Sequence, residues 1–241
     1  MARLPRLVIP GQPHYLVLRG NNAQALAVDD DDRRRLLALL RDAARERQVA
    51  VHAYSLLDSE LHLLLVPPTA AAPAAMVQAL GRRYVPGFNR RHGRSGALWQ
   101  GRFAAGVVEA GAHSLDCMCL IDSLAVLRGQ ASAADGSPWS SAPHHLGKRH
   151  DVLLSDPAEF WALGNTPFER EAAYAARLQH GVDAQRAAQL LHAALKGWAV
   201  GSPAFLEDAA RNTGRPLRPR RRGRPARRAA GAAPPVRRRQ V

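Results

Sequence analysis

The sequence predicts an α+β fold: a ferredoxin-like β-α-β-β-α-β domain, then a small helical subdomain and a disordered basic tail. Three observations carry this. Short apolar runs alternate with helical periodicity over residues 1–130. Residues 131–214 open as a Pro/Gly/Ala/Ser linker and then become helical, each helix starting at a cap-type residue or proline. Residues 215–241 hold 11 arginines and no acid, a composition that cannot bury a core.

The elements follow in order. Residues 14–19 form a short strand ending at the turn cluster Gly20-Asn21-Asn22. Asp29 to Asp32 open a helix through Leu36, Leu37, Leu39, Leu40, Ala43 and Ala44, with acids at its positive end. Residues 49–57 and 61–66 are apolar runs around Asp58-Ser59-Glu60, a hairpin that Pro67-Pro68 terminates. A helix is expected from about residue 71 to 91, kinked or broken at Pro86-Gly87 because proline lacks the amide hydrogen. A strand near 102–109 completes the motif, and another helix follows from about 114 to 127. On that last helix Cys117, Leu120, Ile121, Leu124 and Leu127 recur at i, i+3, i+4 and i+7, one apolar stripe. Beyond the linker at 131–138, helices are predicted to begin at Pro167, Asp183 and Ser202-Pro203.

Composition narrows the function. The 241 residues carry a net charge of +14, with 46% hydrophobic and 22% charged residues, so a folded core is expected. Removing the tail leaves 14 − 11 = +3 for residues 1–214. Excess positive charge points to a polyanion, chiefly nucleic acid. Only Lys148 and Lys196 are lysines. Arginine suits phosphates and guanine edges, although a GC-rich coding bias gives the same composition. No apolar run reaches the roughly 18 to 20 residues of a membrane span, and no export signal follows the N-terminus. Cys117 and Cys119 point to different sides of a helix, giving neither a disulfide framework nor a zinc site. A reduced, cytoplasmic protein without membrane association is expected.

Several motifs carry a resemblance. Arg19-Gly20-Asn21-Asn22, His52-Ala53-Tyr54, Phe88-Asn89-Arg90-Arg91-His92-Gly93, Leu98-Trp99-Gln100-Gly101-Arg102-Phe103, Pro138-Trp139-Ser140-Ser141 and Gly197-Trp198-Ala199-Val200-Gly201-Ser202 occur in order along nearly the whole chain. Together with the closing Arg222-Gly223-Arg224-Pro225, they resemble the REP-associated tyrosine transposases, HUH-type enzymes acting on single-stranded DNA. The resemblance implies two strand histidines and a polar helix residue holding a divalent metal, Mg or Mn, that polarises the scissile phosphate. It also implies a helix tyrosine that attacks to form a phosphotyrosine link.

At those positions this sequence departs from the family. The His-x-His pattern falls on Glu60-Leu61-His62, the tyrosine position is Leu120, and the polar ligand position is Leu124. Glu60 and His62 could still form a partial site for a hard cation, but leucine can neither attack nor ligate. Tyr84, beside Arg82 and Arg83, is the stand-in nucleophile to consider; Tyr15 and Tyr54 sit in strands and suit packing. His144, His145 and His150 fall in a loop and are expected at the surface.

For DNA, the densest basic segment of the folded part is Arg82, Arg83, Arg90, Arg91 and Arg94, with Gln100 and Arg102 nearby. Arg83 and Arg90 would share a face if the helix ran unbroken. Trp99 or Phe103 could stack on bases. In the tail, Arg222 and Arg224 sit in an Arg-Gly-Arg-Pro sequence similar to an AT-hook core, which enters narrow A·T minor grooves; plain phosphate binding by the tail is the other reading. The expectation is a DNA-binding protein of the transposase type, preferring single strands or hairpin repeats, with cleavage lost or impaired. Two alternatives are an active transposase using a substitute nucleophile, and a general nucleic-acid-coating protein acting through its tail. The resemblance allows a homodimer as well as a monomer.

Overall fold

The computed structural model describes residues 6–217. Strands β1 (His14–Arg19), β2 (Ala50–Leu56), β3 (Glu60–Val66), β4 (Ala104–Val108) and β5 (Ala199–Val200) form one sheet in the order β2-β3-β1-β4-β5. The first four pair antiparallel, while β5 joins β4 in parallel. Helices α1 (Asp30–Glu46), α2 (Ala72–Arg91) and α3 (Ala112–Leu127) fall where the β-α-β-β-α-β reading puts them. The fold is α+β, as the alternation of strand and helix signals predicts.

Strand alternation divides the core in two. Leu16, Leu18, Leu61, Leu63 and Leu65 face α1 and α2, where they meet Leu36, Leu40, Met76, Leu80, Tyr84 and Phe88. Tyr15, Val17 and Leu64 face the opposite side, packing in the cluster of α3. That side is covered by α5 (Ala158–Trp161), α6 (Pro167–His180) and α7 (Ala184–Lys196), after the single-turn helix α4 (Ala142–His145). The domain boundary expected near residue 131 therefore separates elements along the chain but not cores. Gly106 lets α7 come this close: a Cβ there would lie 2.7 Å from the Trp198 carbonyl oxygen and 2.8 Å from Ala193.

Helix ends follow their sequence signals. The Asp29 side chain caps α1 by accepting from the Asp32 amide at 2.9 Å. A capping box of Thr166 and Glu169 starts α6, Asp183 caps α7, and Ser202 caps α8 (Pro203–Thr213). Each matches a predicted start.

Four expectations are corrected. Helix α2 runs through Pro86. Met76, Leu80, Tyr84 and Phe88 form a buried i, i+4 row that holds both halves on the sheet, while Pro86 is exposed and leaves the Arg82 carbonyl on an exposed face. Helix α3 has no single apolar stripe: residues 117–122 are all buried, because the C-terminal helices cover the side away from the sheet, and Leu127 is exposed. The tail does not begin at Arg215. Leu217 is buried with Leu7, Val107, Ala199 and Leu206, its carbonyl accepts from the Ala199 amide, and Arg215 donates to the Gly197 carbonyl. Finally, His145 is fully buried, not on the surface; His150 is exposed and His144 lies between.

Candidate functional site

The positions corresponding to the family's catalytic centre lie on the α3 side of the sheet. His62 points there with Leu64, two residues on along β3. Cross-strand register sets its neighbours: Arg19 pairs with Glu60 and Tyr15 with Leu64. Tyr15 is thus the diagonal neighbour of His62, within reach of a long side chain, and its hydroxyl lies 2.8 Å from Nδ1. The other ring nitrogen, Nε2, lies 3.0 Å from Glu60 Oε2. Glu60 Oε1 is 2.7 Å from Arg19 Nε, and Oε2 is 3.5 Å from Arg128 Nη2.

Electrostatics fixes the protonation pattern. Burial lowers the His62 pKa, so the ring is neutral. The hydrogen bond from His62, with Arg19 and Arg128 nearby, holds Glu60 well below the usual carboxylate range. Nε2–H then donates to the ionised Glu60, and Nδ1 accepts from the Tyr15 hydroxyl, whose own pKa burial pushes far up. Both nitrogens are used, leaving no lone pair on His62 for a metal. Leu120 and Leu124 are buried in the same cluster as Tyr15. The donors do not fit a divalent ion: one histidine is saturated, one carboxylate is neutralised by two arginines, and the third position is leucine. Among the described residues, no group of three or more His, Cys, Asp or Glu is placed to hold a metal.

Tyr84 lies on the other side of the sheet. It is fully buried, its hydroxyl donates to the Leu26 carbonyl at 2.7 Å, and burial raises its pKa. Enclosed in this way, the hydroxyl has no exposed oxygen to offer a phosphate. Tyr84→Phe is expected to cost about 1 kcal/mol through the lost bond, read as a lower urea midpoint, with DNA gel shifts unchanged.

The arginine segment splits in two. Arg83 pairs with Glu46 at 2.7 Å, and Arg91 with Asp29 and Asp32, both at 2.7 Å. Arg94 bonds Gln24 and Asn89. These three fasten α2 and the loop after it to neighbouring elements. Arg82, Arg90, Gln100 and Arg102 are exposed, and their side chains make no hydrogen bond or ion pair among the described residues. Trp99 packs against the α1/α2 core beside Tyr84, and Phe103 is buried under the Arg6 guanidinium, 3.7 Å above its ring. Neither is the open stacking platform the sequence suggested. Arg222 and Arg224 lie outside the described residues.

Sequence reasoning missed a buried polar centre on α3. Asp122, fully buried, bonds His145 Nδ1 and the Tyr174 hydroxyl, each at 2.7 Å, and the Ser141 hydroxyl. The sequence held a signal: Asp122 follows the apolar run Cys117–Ile121, an acid in such a setting needs donors, and His145 and Tyr174 lie in segments that cover it. His145 Nε2 is buried without a partner in this arrangement.

No family model and no curated protein matches the chain. Solved structures do. The chain is similar in structure to a REP-associated tyrosine transposase bound to a REP hairpin. The two are 14% identical with a TM-score of 0.49, and the match covers 65% of this chain and 93% of that one. A provisionally assigned transposase from Deinococcus radiodurans R1 is 21% identical with a TM-score of 0.35, over 55% of this chain and all of the other. No helix among the described residues is long and apolar enough to cross a membrane.

Proposed function

We propose that the protein binds DNA, single-stranded or hairpin in form, in the manner of the tyrosine transposases its motifs resemble, and that it does not cleave it. The observation that carries the second half is His62: a buried ring with both nitrogens occupied, by Tyr15 and Glu60, at the position where the resemblance requires a metal ligand. With Leu120 in the nucleophile position, and the one tyrosine oxygen beside His62, that of Tyr15, fully buried and held protonated by that burial, the site offers neither a Lewis acid nor an accessible attacking oxygen. The binding half rests on Arg82, Arg90 and Arg102, exposed and without an ion pair among the described residues, and on the net charge of +14, which suit phosphate contacts. Action in the cytoplasm on chromosomal repeats is the corresponding setting.

The substitute-nucleophile reading fares worse, because Tyr84 is enclosed and bonded to Leu26. The experiment is a hairpin oligonucleotide incubated with the full chain in Mg2+ or Mn2+. A gel shift without nicked product and without a denaturation-resistant protein–DNA adduct is expected. A covalent adduct would refute the loss of cleavage, and no shift at low salt would refute DNA binding.

A further inference from the structure

On the α1 side of the sheet, away from Glu60 and His62, a groove of about 240 Å3 runs between α1 and the segment 138–153. Arg34 and Arg41 stand on its α1 wall, Trp139, Arg149 and Val152 on the other, and Asp151 is its one carboxylate. Arg149 pairs with that acid at 3.4 Å, so the cationic character of the lining comes from Arg34 and Arg41. The acid is already engaged, accepting from the Tyr54 hydroxyl at 2.6 Å and the Leu153 amide at 3.0 Å. Among the described residues Arg34 and Arg41 pair with Asp31 and Asp42 on their own helix, carboxylates that are 72% and 47% exposed. Such pairs contribute little and exchange readily for a phosphate.

The apolar wall is held rigidly. The Trp139 carbonyl accepts from the Leu56 amide at 2.9 Å, and Arg149 fastens the backbone on both sides through the Pro138 and Ser140 carbonyls. Trp139 is only partly buried, and Val152 at the lip is 66% exposed. A partly open indole on a fastened backbone, with the Arg33 guanidinium 5.8 Å from its ring centroid, an exposed aliphatic side chain and two guanidinium groups on the facing wall are what an unstacked base with its flanking phosphates requires. A duplex hides its base faces inside the stack and offers this wall nothing to cover.

We propose that the groove between α1 and segment 138–153 binds an unpaired nucleotide of single-stranded DNA, its base against Trp139 and Val152 and its phosphates on Arg34 and Arg41. This rests on the DNA-binding function proposed above and adds a place for the unpaired strand.

The test measures fluorescence anisotropy of the full chain with a labelled oligothymidine and with a blunt duplex of equal length. Trp139→Leu is expected to weaken single-strand binding about five- to a hundredfold. The double variant Arg34→Ala/Arg41→Ala, whose exposed positions leave folding intact, is expected to lower it about tenfold at low salt. Both should leave duplex affinity within about twofold. An oligonucleotide carrying 5-iododeoxyuridine should cross-link, on irradiation, to the peptide containing Trp139. Unchanged single-strand affinity in the double variant, equal losses on the duplex, or cross-links confined to other segments would each overturn the groove assignment. Tighter binding of an oligouridine RNA through the same residues would overturn DNA as the occupant. Failure of the unaltered protein to bind either DNA would instead remove the parent function, and the groove proposal with it.

Discussion

Asp122→Ala is expected to lower the stability of the folded body by about 2–5 kcal/mol, the largest effect of any single side-chain truncation proposed here. Asp122 is fully buried and joins three segments: its own helix α3, the α4 region through Ser141 and His145, and α6 through Tyr174. Alanine removes the acceptor and leaves the donors. Ser141 keeps its contacts with Tyr54, donating to the carbonyl and accepting from the amide, so it loses least. The Tyr174 hydroxyl keeps only the weak contact with the Cys119 thiol, and His145 Nδ1 has no other partner among the described residues. Each stranded donor costs about 1–3 kcal/mol in a dry interior. Urea denaturation followed by circular dichroism measures the loss. Asp122→Asn keeps one acceptor oxygen and is expected to fall between wild type and alanine. A loss below about 1 kcal/mol for Asp122→Ala would show that water replaces the carboxylate and that the centre does not bind the C-terminal helices to the sheet.

That centre also marks where the sequence stopped being legible. Periodicity, caps and turn residues placed every strand and helix of the first 130 residues, because each signal is local: His14–Arg19 as a strand, Asp29 as a cap, Gly129 after α3. What local pattern could not convey was which surfaces meet. A stripe on α3 was expected because five of its residues fit one face, yet residues 117–122 are buried on every side, by strands far back in the sequence and by the segments that follow the helix. Pro86 was expected to break α2 because propensity argues from the backbone alone, and a four-residue buried row outweighed it.

The candidate site was legible in its losses and not in its replacements. Leu120 and Leu124 declare from their chemistry that nothing ligates or attacks. That Glu60 and His62 had become part of a hydrogen-bonded chain required Tyr15, assigned from sequence to packing alone, to stand diagonally across the ladder. The substitution is self-consistent: glutamate at position 60 attracts Arg19 and Arg128 and accepts the imidazole N–H, and the Tyr15 hydroxyl donates to the remaining ring nitrogen. Arginines read as one DNA-contact run divide in two: Arg83, Arg91 and Arg94 are fasteners, while Arg82, Arg90 and Arg102 are exposed and have no ion pair among the described residues.

Stability is expected to fall by about 3 kcal/mol from His14 alone as pH drops from neutral to about 4. His14 is 1% exposed on β1, with Nδ1 donating to the Gln12 carbonyl at 2.7 Å and Nε2 accepting from the Ile9 amide at 3.1 Å. A second proton would have to enter at Nε2, facing that amide hydrogen. Burial lowers the pKa from 6.5 to about 4, with the Gln12 bond opposing in part. The folded value lies below the unfolded one, so the unfolded chain takes the proton first. The contribution is complete above about pH 6.5 and is lost at about 1.4 kcal/mol per pH unit on the way down to about 4. His52 and His62, also lowered by burial, act in the same direction. His144, raised by its bond to Asp156, opposes them, adding stability below its folded value and losing it as pH rises. Carboxylates such as Glu60, held low in the fold, begin to matter only below about pH 4.5, so the interval above that belongs to the histidines. Urea midpoints across the interval, for wild type and His14→Gln, measure the effect. Glutamine can make both hydrogen bonds without titrating, so its profile should be flatter by roughly the His14 share. Parallel profiles for the two proteins would show that His14 protonates as readily in the fold as in the unfolded chain.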